Sequence, residues 1–351
     1  MPTAPGVTVV SLEAWDDVWR RNQYFVRALR EQDLAGEVLF LEPPRRGRST
    51  RGRPLGGVTT VRPRLVLPKR AGGLRFAARG VASEVARTSI LWVNDATVGL
   101  HLLRSGVRTV YDVTDDWRAS TLSPRARRRL ISAEDELARR AATVVCSEEL
   151  RRRWSERYGV EAAVVPNGID AAAWAQDTEQ TLPGHPPHVG YVGTLHADRL
   201  DIGLVRELGT LAELGTVHLI GPDALDEQSR ALLLREPKVR MWGPIDARSV
   251  PEVTRSLDLL VSPHRVSSFT DSLDAIKSRE YFASRRPIVA TPTSGFDRLS
   301  GDGIRIVQRD EFLGAVLASL ASDVRTWRRA VPDEWSWDAR ARQFAHALEL
   351  I

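Results

Sequence analysis

Short apolar runs alternate along the chain with longer segments in which apolar residues recur every three or four positions. The short runs predict β-strands and the longer segments predict amphipathic helices. In the first half, strands are predicted at 6–11, 37–42, 58–67, 89–94, 109–114, 143–147 and 162–166. Helices are predicted between them near 17–32, 74–87, 97–105, 123–140 and 147–158. This alternation is typical of a doubly wound parallel sheet.

The alternation is interrupted at residues 166–187, which begin with a Pro-Asn-Gly turn and end in Pro and Gly. A second series of strands is predicted at 188–193, 216–221, 239–243, 257–262, 286–291 and 303–307. The final segment, 335–350, predicts an amphipathic helix introduced by Asp338 or Ser336. The chain is therefore predicted to hold two α/β domains, 1–168 and 169–334, followed by a helical segment, 335–351.

Composition places these domains in the cytoplasm. The chain has 351 residues, of which 42% are hydrophobic, enough for packed cores. Its single cysteine, Cys146, cannot form an intrachain disulfide, which suits a reducing compartment. The first residues lack the pattern of a signal peptide, and no apolar stretch approaches the roughly 18–20 residues that span a bilayer.

The basic residues are almost all arginine, 47 of 50, and they cluster at 45–53, 125–129 and 151–153. Because 45 acidic residues are spread through the chain, solvated helix faces and one mobile loop explain most of these clusters. The alternative is an anionic partner, either a phosphate-bearing acceptor or a membrane surface touched by loop 45–53. Nucleic acid is not expected, because no aromatic residues interleave with the arginines.

The second domain carries candidate anion-binding groups after its strands, where open parallel sheets bind ligands. Gly193 and Thr194 follow the strand 188–193, and Arg199 lies near a helix start, where backbone N–H groups favour an anion. Lys277 and Glu280 are three apart on one face of a helix predicted to begin near 272–274. These two side chains form either a solvated ion pair or part of a binding site.

The first domain carries carboxylates and amides at the same kind of position. Asp115 and Asp116 follow the strand 109–114, where they either cap a helix or face a cleft and activate an acceptor hydroxyl. A metal site is disfavoured, because no His or Glu cluster accompanies them. The candidate acceptor-binding residues are Asn94, Asp95, Trp15 and Asn22. Trp19 and Tyr24 suit a pocket or the core equally well.

Residues 274–296, DAIKSREYFASRRPIVATPTSGF, resemble the nucleotide-sugar segment of bacterial GT-B glycosyltransferases of the group-one, family-4-like type. Further segments resemble the same family: VVPNGID (164–170), VGYVGTL (189–195) and LDLLVSP (257–263). VYDVTDDW (110–117) resembles a sub-group that makes surface polysaccharides and teichuronic-type polymers. The resemblance covers most of 164–296 in the correct order.

The resemblance implies two Rossmann-like domains facing a cleft, with the last helix returning to the first domain. Glu280 would accept hydrogen bonds from the donor ribose, and Lys277 and Arg199 would neutralise the diphosphate. Gly193 and Thr194 would contact the diphosphate through their backbone. Many relatives have a second glutamate eight residues before the first, but this chain has Ser272 there. The contact with the donor sugar is therefore open, and Asp271 is an alternative.

We predict a metal-independent hexosyltransferase that moves a sugar from a nucleotide-diphosphate donor to a hydroxyl of a glycan, a lipid-linked glycan or a secondary metabolite. No cofactor is expected beyond the donor. Two alternatives remain, a nucleotide-sugar epimerase or hydrolase on the same architecture and a non-catalytic nucleotide-sugar-binding scaffold. A nicotinamide-dependent oxidoreductase is disfavoured, because no G-x-G-x-x-G follows a strand with an acidic residue about 20 positions on.

Overall fold

The computed structural model describes residues 4–349 except Ser105, Arg325 and Arg328, and of Arg70 it describes the backbone only. The chain forms two compact units. The first consists of Met1–Asn167 with Trp337–Ile351, and the second of Gly168–Ser336. The second unit is therefore continuous in sequence, whereas the first is made from both ends of the chain.

The first unit is built on an eight-stranded sheet in the order β3-β4-β2-β1-β5-β6-β7-β8. The strands are β1 (Val7–Val10), β2 (Val38–Leu41), β3 (Thr50–Arg51), β4 (Val58–Arg62), β5 (Ile90–Val93), β6 (Arg108–Val113), β7 (Ala142–Val145) and β8 (Ala163–Val164). The three central strands, β2, β1 and β5, are buried along their whole length, as expected of a parallel sheet covered on both faces.

One edge of this sheet differs from the predicted all-parallel pattern. The strand predicted at 58–67 ends at Arg62, and β3 pairs antiparallel with it, Thr50 opposite Arg62. Part of the arginine-rich segment 45–53, predicted as a mobile loop, is thus a hairpin strand. The chain reverses between β3 and β4 through Gly56 and Gly57, whose φ angles of 56° and 79° suit glycine. The sheet is therefore mixed at this edge.

The helices of the first unit lie near their predicted positions, but the helix predicted near 74–87 is divided in two and the one predicted near 97–105 is an α-helix only over Ala96–Gly99. They are α1 (Arg21–Glu31), α2 (Gly73–Arg79), α3 (Ala82–Val85), α4 (Ala96–Gly99), α5 (Pro124–Arg140) and α6 (Glu148–Tyr158). The predicted start of α6 is confirmed, because the Ser147 hydroxyl accepts a hydrogen bond from the backbone N–H of Leu150 at 3.2 Å. The cluster 151–153 lies on this helix and pairs with glutamates of the same helix, which gives a solvated face.

The second unit holds a six-stranded sheet in which every neighbouring pair is parallel, in the order β13-β11-β9-β14-β15-β16. The strands are β9 (His188–Val192), β10 (Leu195–His196), β11 (Thr216–Ile220), β12 (Asp223–Ala224), β13 (Val239–Gly243), β14 (Leu259–Ser262), β15 (Ile288–Ala290) and β16 (Ile304–Ile306). The helices are α7 (Ala171–Ala175), α8 (Ile202–Thr210), α9 (Glu227–Leu234), α10 (Val250–Arg255), α11 (Ile276–Ser284) and α12 (Phe312–Leu320). Strands β10 and β12 form a separate two-stranded sheet.

The last helix, α13 (Trp337–Ala347), belongs to the first unit. It packs on α1 through aromatic rings: Tyr24 stacks on Trp337 at 4.8 Å, and Phe25 stacks on Phe344 at 4.7 Å. Phe344 also meets Trp92 of β5 edge-on at 4.6 Å. These rings fill the space between helices and sheet, so α13 is part of the core of this unit.

Across the described residues, no helix combines the length and apolar character that a membrane crossing requires.

Candidate functional site

The order of the strands in the second unit defines a site at one edge of its sheet. Going outward from β9, the chain adds β11 and β13 on one side, and β14, β15 and β16 on the other. The pairing of β14 with β9 covers only Leu259 and Leu260, so the two strands part beyond those residues. Parallel sheets bind ligands beyond the carboxyl ends of the strands at such a reversal of order.

Two predicted donor residues meet directly at this edge. Gly193 follows β9 with φ 154°, and a Cβ placed there would lie 2.5 Å from Cε and 2.7 Å from Nζ of Lys277. A side chain at position 193 would therefore displace the lysine. The glycine lets the Lys277 ammonium lie against the backbone at the end of β9.

A hydroxyl of β9 holds this ammonium in place. Lys277 Nζ donates to Tyr191 Oη at 3.0 Å and lies 4.9 Å from the centroid of the Tyr191 ring. Tyr191 Oη also lies 3.1 Å from His264 Nε2 and 3.2 Å from the carbonyl of Thr194. Lys277 forms no ion pair with a carboxylate among the described residues. Its charge is therefore available to a ligand at the sheet edge.

Arg199 adds a second cation to the same place. Its backbone carbonyl accepts a hydrogen bond from the N–H of Arg265 at 2.7 Å, which ties its turn to the loop after β14. Its guanidinium lies 5.1 Å from the centroid of the Phe269 ring. Burial lowers the pKa of His264 well below its usual range, and the charges of Lys277 and Arg199 lower it further. The imidazole is neutral, and both cations are close enough to act on it.

Glu280 lies one turn after Lys277 on α11 but does not pair with it. The carboxylate is half-buried and has no hydrogen bond or ion pair among the described residues. Loss of contact with water raises the pKa of Glu280 from 4.5 to about 7, an effect that the charge of Lys277 partly opposes. Of the two alternatives given by the sequence, the solvated ion pair is therefore absent, and a carboxylate that is unpaired among the described residues lies beside the sheet edge. Perturbed carboxylates of this kind cluster at functional sites.

Helix α11 is fixed to the strands by the residue that follows Glu280. The buried Tyr281 hydroxyl accepts from the backbone N–H of Val192 at 2.8 Å and donates to the carbonyl of Val261 at 3.3 Å. These two groups belong to β9 and β14, which are too far apart there to pair with one another. Tyr281 therefore replaces the missing ladder bond and sets the height of Lys277 and Glu280 above the sheet.

Ser272 lies in a different setting from that predicted. The helix starts at Ile276 and not near 272–274, and Ser272 is the last residue of a preceding 3-10 turn. Its side chain is fully buried, and its hydroxyl donates to the carbonyl of Phe269 at 2.7 Å. Thr270 is likewise buried and donates to the carbonyl of Arg265 at 2.7 Å. Such bonds compete with helix formation and delay the start of α11.

In the first unit, the two candidate aspartates have different surroundings. Asp116 is buried and accepts hydrogen bonds from Arg153 at 3.1 Å and from Arg157 at 3.2 Å. Asp115 is half-buried, and its carboxylate accepts from the Thr114 hydroxyl at 3.3 Å. Asp116 therefore links the end of β6 to α6 through these two arginines. Of the two, Asp115 is more exposed to a ligand.

The four candidate acceptor residues differ in the contacts that their side chains make within the first unit. Asp95 caps α4, accepting from the backbone N–H of Thr97 at 2.9 Å and of Val98 at 3.2 Å. Asn22 is buried and donates to Asn94 at 2.9 Å, while Asn94 donates to the carbonyl of Asp112 at 3.2 Å.

Trp15, the fourth of these candidates, is half-buried and meets Phe40 edge-on, with ring centroids 4.9 Å apart. Asn22 and Asn94 therefore lie together, and Trp15 lies on a separate aromatic cluster.

A buried ion pair beneath these residues was not predicted. Arg21 of α1 donates to Asp112 of β6 at 2.9 and 3.0 Å, and both side chains are almost wholly excluded from solvent. Arg21 also donates to Asn167 at 3.2 Å and to the carbonyl of Val165 at 2.9 Å. The partners are far apart in sequence, so no local spacing indicates them. The pair ties α1 to the last residues of this part of the unit.

Within the described residues, the candidate side chains coincide with neither a metal-binding cluster nor the cavity of the first unit. No group of three His, Cys, Asp or Glu side chains there converges in a way that suits a metal ion. A cavity of about 850 Å³ opens near Arg30, Glu37 and Arg87, at the amino-terminal ends of β1 and β2. That is the sheet edge opposite Asn94 and Asp115, so the cavity holds none of the candidate residues.

Comparison with known families agrees with this geometry. Residues 18–173 match the model of "Glycosyltransferase Family 4", and residues 186–323 match the model of "Glycosyl transferases group 1". The second match contains β9, β14 and α11, the elements that carry the site. Together the two matches span most of the chain.

Individual relatives point in the same direction. A Bacillus subtilis protein, TuaH, whose name assigns it to teichuronic acid biosynthesis as a glycosyltransferase, is 28% identical over 208 residues. That alignment covers 55% of this chain and 52% of TuaH, so the chain spans about half the length of this relative.

Solved structures share the fold over nearly the whole chain. The Anabaena protein Alr3699/HepE in complex with UDP and glucose has a TM-score of 0.68 at 14% identity, covering 99% of this chain and 100% of that one. An Escherichia coli structure titled as trehalose-6-phosphate bound with UDP-2-fluoro glucose has a TM-score of 0.64 at 14% identity, covering 98% and 95%. These neighbours have the GT-B fold, which confirms the predicted fold class. The chain therefore has the GT-B fold, with a domain that matches the family-4 glycosyltransferase model followed by a domain that matches the group-1 glycosyl transferase model.

Proposed function

We propose that this protein transfers a sugar from a nucleotide-diphosphate donor to a hydroxyl group, and that the second unit binds the donor. The observation that carries the proposal is that the Lys277 ammonium and the Glu280 carboxylate lie at the same sheet edge and that neither forms an ion pair within the described part of the chain. A nucleoside diphosphate offers a complement to both, since its phosphates need cations and its ribose hydroxyls need an acceptor.

For this reaction, the site must stabilise the nucleoside diphosphate as it leaves the sugar. When the bond between the anomeric carbon and the diphosphate breaks, negative charge develops on the diphosphate oxygens. Lys277, held by Tyr191, and Arg199 place fixed positive charge at the sheet edge without reorganising during the reaction. Gly193 and Thr194 present backbone in the same position. Glu280 contributes binding and orientation of the donor, away from the breaking bond.

We assign the acceptor to the first unit and its activation to Asp115. The carboxylate of Asp115 is half-buried, whereas Asp116 is occupied by Arg153 and Arg157. Asp115→Asn is expected to lower kcat by roughly 10²-fold while the affinity for donor stays unchanged. Asp116→Asn is expected instead to lower the free energy of unfolding by about 1–3 kcal/mol, because two arginines lose their charged partner. Steady-state kinetics and urea unfolding of both variants measure the difference, and normal turnover of Asp115→Asn contradicts the assignment.

We further expect Tyr191 to act as a positioning residue for Lys277. Tyr191→Phe removes the hydroxyl that accepts from Lys277 and should weaken binding of UDP by roughly 3–10-fold, with binding of uridine unchanged. The matched control is Ser319→Ala, which removes a buried hydroxyl of the same unit that donates to the carbonyl of Ala315 within α12. The control should leave both affinities unchanged. Equal losses for UDP and uridine in Tyr191→Phe refute the positioning role.

Finer properties belong to the same proposal. The donor sugar is a hexose, transfer proceeds without a metal ion, and the acceptor is a glycan, a lipid-linked glycan or a small metabolite. The UDP-sugars named for the Anabaena and E. coli neighbours, and the polymer named for TuaH, support this choice of donor and acceptor class. Segment 45–53 is proposed to contact a membrane surface.

Thermal unfolding with UDP-, GDP- and dTDP-sugars tests the donor assignment. A ligand present at 100 times its dissociation constant stabilises the folded state by about 2.7 kcal/mol, so one nucleotide should raise Tm measurably and selectively. Product analysis with and without acceptor then separates transfer from epimerisation or hydrolysis, neither of which needs a second sugar. Failure of all three nucleotides to shift Tm contradicts the proposal, and binding without turnover over a panel of acceptors favours a scaffold.

A further inference from the structure

The net charge of this chain is unevenly distributed. One segment carries a net charge of +11, whereas the whole chain carries +5. Residues 43–83, which we call the basic strip, contain 11 basic side chains and no acidic one. The remaining 310 residues carry 39 basic and 45 acidic side chains, a net charge of −6. The strip is therefore strongly cationic against an otherwise anionic chain.

The positive charges of the strip are exposed, and most have no partner. Nine of its basic side chains are exposed: Arg45, Arg46, Arg48, Arg51, Arg53, Arg64, Lys69, Arg75 and Arg79. Among these nine, only Arg51 forms an ion pair with a described residue, Glu84. The arginines of α6 differ, because each of 151–153 pairs with a glutamate of its own helix. The strip thus holds charge that the fold does not neutralise.

The same strip exposes apolar side chains. Of the seven large hydrophobic residues that are exposed in the described part of the chain, four lie in it: Leu55, Val66, Leu67 and Phe76. Leu55 is 82% exposed at the tip of the β3–β4 hairpin, and Phe76 is 46% exposed on α2. Leu74, Ala77 and Ala78 of α2 are buried, so its outer face presents Phe76 between Arg75 and Arg79.

Backbone contacts hold the parts of the strip side by side. Arg45 bridges to Arg64, and its carbonyl accepts from the N–H of Leu65 at 2.8 Å. Further along, the N–H of Gly73 donates to the carbonyl of Pro68 at 3.2 Å, which brings the start of α2 against the segment that carries Val66 and Leu67. The hairpin edge, residues 64–67 and α2 therefore form one continuous surface.

We propose that the basic strip is a docking surface for an anionic phospholipid bilayer. Exposed arginines are attracted to the negative surface potential of such a bilayer. Each arginine within a Debye length of the surface adds a favourable electrostatic contribution to the binding free energy. Val66, Leu67 and Phe76 insert at the boundary between headgroups and acyl chains, as the apolar residues of interfacial segments do. A nucleic acid would use the charge but not the aliphatic side chains, since its bases stack on aromatic rings.

Flotation with lipid vesicles tests the proposal on the full chain. Vesicles of phosphatidylcholine with about 30% phosphatidylglycerol are compared with pure phosphatidylcholine at roughly 0.15 M salt. The strip variant carries Arg45→Gln, Arg46→Gln, Arg48→Gln and Arg53→Gln. The matched control loses the same charge elsewhere, through Arg139→Gln, Arg140→Gln, Arg151→Gln and Arg152→Gln. A third variant carries Val66→Ser, Leu67→Ser and Phe76→Ser.

The wild-type chain should bind the anionic vesicles at least about tenfold better than the neutral ones, and the strip variant should lose at least about tenfold of that binding. The control should stay within about threefold of the wild type. The serine variant should lose the part of the binding that persists at roughly 0.5 M salt, where charge attraction is screened.

Three results overturn the proposal: no preference for anionic vesicles, equal losses in the control and strip variants, or binding of a DNA duplex as tight as that of vesicles. Nucleotide-induced shifts in Tm are recorded for every variant. Vesicle binding and donor binding are independent, so failure of one leaves the other standing.

Discussion

At pH 8, the Glu280→Gln variant should be more stable than the wild-type protein and yet bind nucleotide more weakly. The folded state raises the pKa of Glu280 to about 7, whereas a glutamate in the unfolded chain titrates near 4.5. Between these values the folded state holds a proton that the unfolded state has lost. The contribution of this group to stability is therefore greatest below pH 4.5 and falls as the pH rises through 7.

The Glu280→Gln variant has no ionisable group at this position, so its free energy of unfolding does not fall as the pH rises through 7. Because Glu280 keeps some contact with solvent, we expect the variant to gain about 1–3 kcal/mol relative to wild type at pH 8, and about a quarter of that at pH 5, where the unfolded glutamate is already mostly ionised. The affinity of the variant for nucleotide should fall, because an ionised carboxylate accepts hydrogen bonds from both ribose hydroxyls and an amide oxygen is a weaker acceptor. We expect a loss of roughly 10–100-fold in affinity for nucleotide at pH 8.

Urea unfolding and nucleotide titration at both pH values measure the two effects. Wild-type affinity should increase between pH 6 and 8, and that of the variant should not. Glu213→Gln is the control, because Glu213 is an exposed glutamate of the same unit, and it should leave stability and binding unchanged. A variant that binds nucleotide normally at pH 8 would remove Glu280 from the donor site, whatever its stability.

The largest loss of stability should come from breaking the Arg21–Asp112 pair. Asp112→Asn leaves the Arg21 guanidinium buried against Val165 and Asn167 without the carboxylate of Asp112. Removing one partner of a buried pair typically costs about 3–5 kcal/mol, and we expect the same of Arg21→Met. The double variant should lose clearly less than the sum, because no charge is then left buried alone.

Urea unfolding followed by tryptophan fluorescence suits this test, since the Trp92 indole N–H lies 3.3 Å from Asp112. The exposed pair Arg139–Glu136 of α5 is the matched control, and its removal should cost less than about 0.5 kcal/mol. Single variants within 1 kcal/mol of wild type would show that solvent reaches Arg21 and Asp112 more than their burial implies.

The elements that the sequence predicts well are those whose pattern is strong and local. Each of the longer strands of both sheets was predicted from its apolar run, and α6 was predicted to its first residue from Ser147. Strand β3 was missed because it is two residues of an arginine-rich segment, paired by the hairpin and without an apolar pattern. The start of α11 was misplaced, since the hydroxyls of Thr270 and Ser272 bind nearby carbonyls in place of a helical turn.

The candidate site was predictable in part for the same reason. Gly193, Lys277 and Glu280 lie in motifs with a fixed spacing, and the fold brings Gly193 and Lys277 into contact. Tyr191 lies in VGYVGTL, but nothing in that segment or around His264 indicates that the two side chains meet. Their contact depends on β9 and β14 being neighbours in the sheet. The distinction between Asp115 and Asp116 depends on arginines about 40 residues further on, which spacing cannot indicate.

Because α13 belongs to the first unit but is translated after the second unit, the second unit can complete its fold first. The rings of Trp337 and Phe344 complete the packing around Phe25 and Trp92, so the first unit lacks part of its interior until the ribosome has made the end of the chain. The second unit has all of its residues sooner. A released chain that ends at Ser336 should therefore hold a protease-resistant second unit and a first unit that is still cleaved readily.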